Sequence, residues 1–301
     1  MIVVSKTKKQ CLIMKGEFYM ISTNTIKIEK CKFCGKELEQ KTMRFVVGEN
    51  EFIVKGEPAR CDCIKAKIYW KKVDDRKAQI EYKREYNRKV MLRKKYYLNS
   101  KMNKRLMEYN FENYMTNNDN RMAYEKSKRY AENFVKGDNK GSLFITGGVG
   151  TGKTHLVASI ANYLIENEIP VIFGTLITLL NDIKDTSKID GDCESDVIEK
   201  YSKIPMLIID DLGKERPSEW TLEKLFTIVN NRYENNLLII ITTNYNKEKL
   251  RKRLLCNNNE EIVDSIISRL YEMCRGIIIF GKDKRKELET KILTQMIITI
   301  F

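Results

Sequence analysis

The sequence predicts an α/β protein, a five-stranded parallel sheet flanked by helices and preceded by a small cysteine-bearing module and a long basic helix. Three observations predict it. From Ser142 onward, short β-branched runs alternate with helical stretches, the pattern of βαβ units on a parallel sheet. A glycine-rich loop at 147–154 joins the first such run to the first such helix. Ahead of them, residues 64–110 contain no Gly or Pro and hold sixteen Lys/Arg against five Asp/Glu.

Composition divides the chain into an N-terminal module at 1–63, a basic helical segment at 64–110 and an α/β domain at 111–301. The first carries four Gly, one Pro and five of the eight cysteines, with short apolar alternations between turns. The second supplies +11 of the net charge of +14. In the third, strands are expected at 142–146, 171–174, 206–209, 237–242 and 276–280, and helices at 154–167, 175–184, 219–234 and 260–272.

With 301 residues and 42% hydrophobic content, the chain can build one ordinary core and a smaller module. No apolar run approaches the roughly 20 residues that span a bilayer. The start is too short for a signal-peptide core, because Lys6, Lys8 and Lys9 interrupt it. Met14 and Met20 are alternative starts. These features predict a cytoplasmic protein without membrane contact, where cysteines serve metal or packing rather than disulfides. The basic balance suits an acidic partner such as nucleic acid, and equally a lysine-rich surface with no partner.

The loop Gly147, Gly148, Val149, Gly150, Thr151, Gly152, Lys153, Thr154 satisfies GxxxxGK[ST] between a strand and a helix. Its glycines let successive N–H groups curl around phosphate oxygens, and the helix behind adds its N-terminal dipole. Lys153 is expected between the β- and γ-phosphates of ATP, with the Thr154 hydroxyl on Mg²⁺. A second strand must deliver a carboxylate to that ion, and the 206–211 run supplies four apolar residues, then Asp210 and Asp211. Asp210 is the expected metal-shell acid, acting directly or through water. Asp211 is the candidate to polarise the attacking water, as general base or positioning group. Asn244, at another strand end, is expected beside the γ-phosphate. Arg269, on the helix before the last strand, is either a transition-state finger acting across a subunit interface or a surface ion pair. His155, the only histidine, reads as packing or supporting the loop.

These residues resemble the DnaC/IstB-like branch of the AAA+ ATPases over about 105–286. The stretches GTGKTHLVASIANYLI from Gly150, with His155, Leu156, Ala161 and Asn162, and IIDDLGKERPSEW from Ile208 carry the likeness. ITTNY from Ile241 is similar to the family's sensor 1, and SIISRLYEMC from Ser265 to its arginine-finger helix. GKDKR from Gly281 is similar to the block that closes the domain, making Arg285 a further candidate for nucleotide contact. YNFENYM from Tyr109 is similar to a leading segment that often lies near the adenine. The resemblance implies ATP with Mg²⁺, self-association that brings each finger to a neighbour's site, and one of two tasks. These are loading a replicative hexameric helicase onto single-stranded DNA, or assisting a transposase. Asp211 stands where most AAA+ members have Glu, which implies slow, partner-dependent turnover.

Cys31-x-x-Cys34 and Cys61-x-Cys63 form two pairs that complete the S₄ shell of a structural Zn²⁺, a zinc-ribbon-like site; an Fe–S cluster or free thiols are the alternatives. Alternation over 43–54 predicts a hairpin bringing the pairs together. Zinc-bearing modules are familiar in the family's helicase loaders and not in its transposase helpers. Over 64–108 the composition predicts one helix, on which Tyr69, Trp70, Tyr82, Tyr86, Tyr96 and Tyr97 interleave with basic residues. That pattern serves single-strand stacking, docking of a helicase, or a solvated helix with local packing. The expected function is helicase loading, with a transposase helper or a zinc-bearing nucleic-acid adaptor of little hydrolysis as alternatives.

Overall fold

The computed structural model describes residues 9–13, 19–47, 50–55, 58–138, 141–186, 194–215, 217–257, 259–281 and 283. The chain divides into two compact units, Met1–Asn87 and Arg88–Phe301.

In the first unit, strands β1 (Lys9–Ile13), β2 (Tyr19–Lys30), β3 (Glu37–Val47) and β4 (Asn50–Lys55) form an antiparallel sheet in sequence order. The expected hairpin is β3–β4, with Val47 opposite Asn50. Strands β1 and β2 lie in the stretch that the sequence marks by short apolar alternations. The first cysteine pair occupies the turn between β2 and β3, where the Gly35 and Cys31 N–H groups donate to the Cys31 and Lys36 carbonyls. The second pair follows β4 and leads into helix α1 (Ile64–Asn99).

The division between units falls inside α1. The helix also stops at Asn99 rather than near 108. The cause is tertiary. Ser100 is fully buried, its hydroxyl donates to the Tyr97 carbonyl, and its own carbonyl accepts from the Phe173 N–H. Lys101 then takes a left-handed conformation (φ 64°) that no helix continues. A short helix α2 (Lys104–Met107) and a longer α3 (Arg121–Val135), neither of them expected, follow.

The second unit is a five-stranded, all-parallel sheet, as predicted. Its strands are β5 (Ser142–Gly147), β6 (Val171–Thr175), β7 (Met206–Asp210), β8 (Leu238–Thr243) and β9 (Cys274–Ile279), ordered β6-β7-β8-β5-β9. The helices are α4 (Lys153–Glu166), α5 (Leu176–Thr186), α6 (Glu194–Lys203), α7 (Glu219–Glu234), α8 (Lys247–Leu254) and α9 (Glu260–Met273). Sequence reasoning passed over α6 and α8, which are short and highly charged.

Period-two alternation sends neighbouring strand residues into different cores. Phe144, Leu207, Ile209, Ile239 and Ile241 join one core with residues of α5, α7 and α9. Leu143, Ile145, Met206, Ile208 and Ile240 join the other with α4. Both faces are therefore covered, which explains strands that read as continuous apolar runs. Each fully buried Ile or Leu contributes about 1.5–3 kcal/mol. The order matters for function: β7, β8 and β5 are adjacent and parallel, so their carboxyl ends open at one edge. Among the described residues, no helix is long and apolar enough to cross a membrane.

Candidate functional site

The glycine loop leaves the carboxyl end of β5 and enters α4, as its sequence demands. Gly152 caps the helix at φ 97°, a conformation costly to any other residue. A Cβ there would also lie 3.0 Å from the Tyr114 hydroxyl. Thr151 closes the loop by donating to the Gly148 carbonyl at 2.9 Å. Val149 projects from its crest, exposed.

Lys153 is buried, and its ammonium donates to the Gly147 and Gly148 carbonyls at 2.9 and 2.8 Å and to the side-chain oxygen of Asn244. Thr154 donates to one Asp210 carboxylate oxygen at 2.8 Å. The other oxygen accepts from Thr242 at 2.6 Å. Burial holds the Asp210 carboxyl above the usual carboxylate range, against the two hydroxyl bonds that lower it. Asp211 sits at φ 60°, its N–H donating to Thr242 Oγ1 at 2.8 Å. Its carboxylate accepts from the Asn244 amide at 3.1 Å and lies 3.7 Å from the Lys214 ammonium. The ends of β5, β7 and β8 thus converge in one cluster of cation, hydroxyl, two acids and an amide.

The cluster opens into a cavity of about 550 Å³. Val149, Gly150 and Gly152 to His155 line it on one side, together with Asp211, Lys214 and Asn244. The opposite wall is Asn103, Arg105, Leu106 and Tyr109. Sequence reasoning gave Tyr109 a place through resemblance and missed the other three, as well as Lys214. Asn162, on α4, holds that wall: its amide donates to the Leu106 and Tyr109 carbonyls at 2.8 and 2.6 Å. His155 stacks on Tyr109 at 4.1 Å between centroids and bonds Asn113 Oδ1 at 2.9 Å.

Arg269 is not part of this cavity's lining. Its Nε donates to Asn230 at 2.8 Å, and the guanidinium lies over the Phe226 and Tyr233 rings at 5.1 and 5.7 Å. Among the described residues, no carboxylate pairs with Arg269. Arg285 lies outside the described residues.

In the first unit, the four predicted cysteines meet. Their sulfurs all lie within 4.8 Å of one another, with Cys31 to Cys63 at 4.0 Å and Cys34 to Cys61 at 3.4 Å. Ala66 and Trp70 of α1 and Leu38 of β3 cover the group. Four thiols in this arrangement can bind a metal ion.

An IstB-like ATP-binding protein model matches residues 71–291, nearly three quarters of the chain. The chain belongs to the IstB/DnaC-like AAA+ family of ATP-binding proteins. Within curated proteins, this family member is 38% identical over 130 residues to the chromosomal replication initiator protein DnaA of Nautilia profundicola, and 34% over 131 residues to that of Borrelia hermsii. These stretches cover 42% and 43% of this chain but only 28% and 26% of the relatives, so the chain matches about a quarter of their length. A crystal structure of a DNA replication initiation factor superposes with a TM-score of 0.50 at 25% identity, covering 62% of this chain and 55% of that one. DnaI superposes with the same score at 24% identity, covering 61% and 94%, a likeness of fold.

Proposed function

We propose that this AAA+ protein is a helicase loader. It binds ATP with Mg²⁺, self-associates on doing so, and places a replicative hexameric helicase on single-stranded DNA, hydrolysing ATP slowly. The observation that carries the ATP half is that Lys153, Thr154, Asp211 and Asn244 line one cavity, with Asp210 hydrogen-bonded to Thr154 beside it.

The residues fit the groups they would hold. Asp210 is a buried acid whose bonded neighbours are hydroxyls rather than a cation, which favours a divalent ion beside it. Thr154 and Asp210 would hold that Mg²⁺, whose chemistry when bound is to neutralise charge on phosphate oxygens. Lys153 moves its ammonium from loop carbonyls to phosphate oxygens, and the loop N–H groups orient the same oxygens. Asp211 accepts a proton from water or orients it, and the Asn244 amide fixes the carboxylate.

The cysteine group fits zinc. A tetrahedral S₄ shell with zinc–sulfur bonds of about 2.3 Å puts sulfurs about 3.8 Å apart; two of the pairs here lie at 3.4 and 4.0 Å and all four sulfurs within 4.8 Å. A multi-iron cluster needs its thiolates farther apart, to surround several metals. A zinc module supports loading over the transposase-helper reading, which the IstB-like family leaves open. The third reading, ATP binding with little hydrolysis, draws on Asp211, a short acid already engaged by Asn244 and close to Lys214.

Lys153→Ala tests the phosphate site. Binding of a fluorescent ATP analogue is expected to vanish, and unchanged affinity refutes the assignment. Pull-down against a replicative helicase with and without ATP tests the loading half, and capture of a transposase instead selects the alternative.

A further inference from the structure

We propose a second phosphate-binding site at the amino end of β5, opposite the glycine loop, that takes the backbone of a single-stranded nucleic acid. For the choice of polymer it rests on the functional reading above; its geometry is independent of the ATP site.

The site is a cavity of about 430 Å³ between α3 and the starts of β5 and β9. Lys126, Arg129, Tyr130 and Asn133 line it from α3, at the spacing that puts four side chains on one helix face. Arg275 and Gly276 line it from β9. Among the described residues of the lining, three cations face a single carboxylate, Asp138. The Tyr130 hydroxyl is a buried atom with no hydrogen-bond partner. Burial raises its pKa, so it keeps its proton and remains a donor.

The donor set selects the ligand. Arg129, Lys126, Asn133 and Tyr130 from α3 and Arg275 from β9 line one cavity, a set that suits a compact acceptor with several oxygens, such as phosphate. A planar carboxylate is satisfied by one guanidinium fork. Free phosphate and a phosphodiester share this chemistry, and the single-stranded DNA of the proposed function selects the polymer. A recessed cavity admits the bent backbone of a single strand more readily than a duplex. Because β5 runs from this cavity to the glycine loop, strand and nucleotide can be held together by one rigid element.

Gly276 offers a clean test. A Cβ added there meets nothing within 4 Å and requires no unusual backbone angle, so a larger residue fills the cavity without disturbing the strand. The test measures binding of a labelled oligodeoxythymidine to the full chain by anisotropy across a salt series. Gly276→Leu and the double variant Arg129→Glu/Arg275→Glu are expected to weaken binding at least tenfold. The double variant should also flatten the salt dependence by roughly 0.7 in log–log slope for each phosphate it no longer neutralises. Tyr130→Phe should weaken binding severalfold without lowering the melting temperature, which keeps the proposal testable should charge reversal impair folding. Wild-type affinity and slope in Gly276→Leu and Tyr130→Phe overturn it. Competition by millimolar inorganic phosphate as effective as by oligonucleotide overturns the polymer, as does polyglutamate bound in its place. Fluorescent ATP binding, measured on the same variants, should be unchanged. A wild-type chain that binds oligonucleotide through this cavity but no ATP would sink the glycine-loop reading and leave this one standing.

Discussion

The Thr154 hydroxyl donates to an Asp210 oxygen at 2.8 Å, across 56 positions of sequence, and Thr242 occupies the other oxygen at 2.6 Å. A buried carboxylate held by two hydroxyls, with no cation bonded to it, is incompletely compensated. Asp210→Asn keeps an acceptor and removes the charge. The free variant is therefore expected to melt at the same temperature or higher than the parent, while the stabilisation given by ATP with Mg²⁺ disappears. Thermal melts with ATP, in Mg²⁺ and in chelator, check both halves; a variant still stabilised by Mg²⁺-ATP counts against the metal role.

Arg269 stacks on Phe226 and Tyr233 within its own chain and takes no part in lining the cavity. Arg269→Ala should leave ATP affinity within about twofold. Hydrolysis stimulated by DNA or a partner should fall by about 10³-fold, the scale of a missing arginine finger. Normal stimulated turnover would leave Arg269 a packing residue.

One zinc per chain is expected in metal analysis, released by Cys31→Ser. Because Cys31 and Cys61 are both buried with Ala66, loss of metal should also lower the melting temperature of the first unit. A folded, metal-free module would end the zinc assignment.

Arg232 is fully buried, and its guanidinium donates to the carbonyls of Tyr201, Ile204, Pro205 and Leu238. It ties the end of α6 and the approach to β7 to the start of β8. Burial pulls its pKa down to about 10, still well above neutrality, so it stays charged. Arg232→Met leaves several buried carbonyls without donors and should cost about 3 kcal/mol or more. Urea unfolding reads this directly; a midpoint unchanged from the parent would contradict it.

Much of the fold was legible because its signals are local. Helix α7 was expected at the residues where it occurs, since Ser218 caps it by accepting from the Thr221 N–H and apolar spacing marks its face. The other expected strands and helices of the second unit shifted by one or two residues at their ends, where pairing with neighbours rather than composition sets the limit. Helix α1 failed further, because nothing in 100–108 discourages a helix and only burial of Ser100 against Phe173 ends it.

The sequence by itself determined the glycine loop, the two acids and the paired cysteines, because each depends on neighbours along the chain and on chemistry with few alternatives. Tertiary structure alone decided the far wall of the nucleotide cavity, the anchoring of that wall by Asn162, the stacking of Arg269 and the cation-lined hollow beside Tyr130. Those features join side chains tens of residues apart, and strand order, which one sequence does not spell out, brings them within reach.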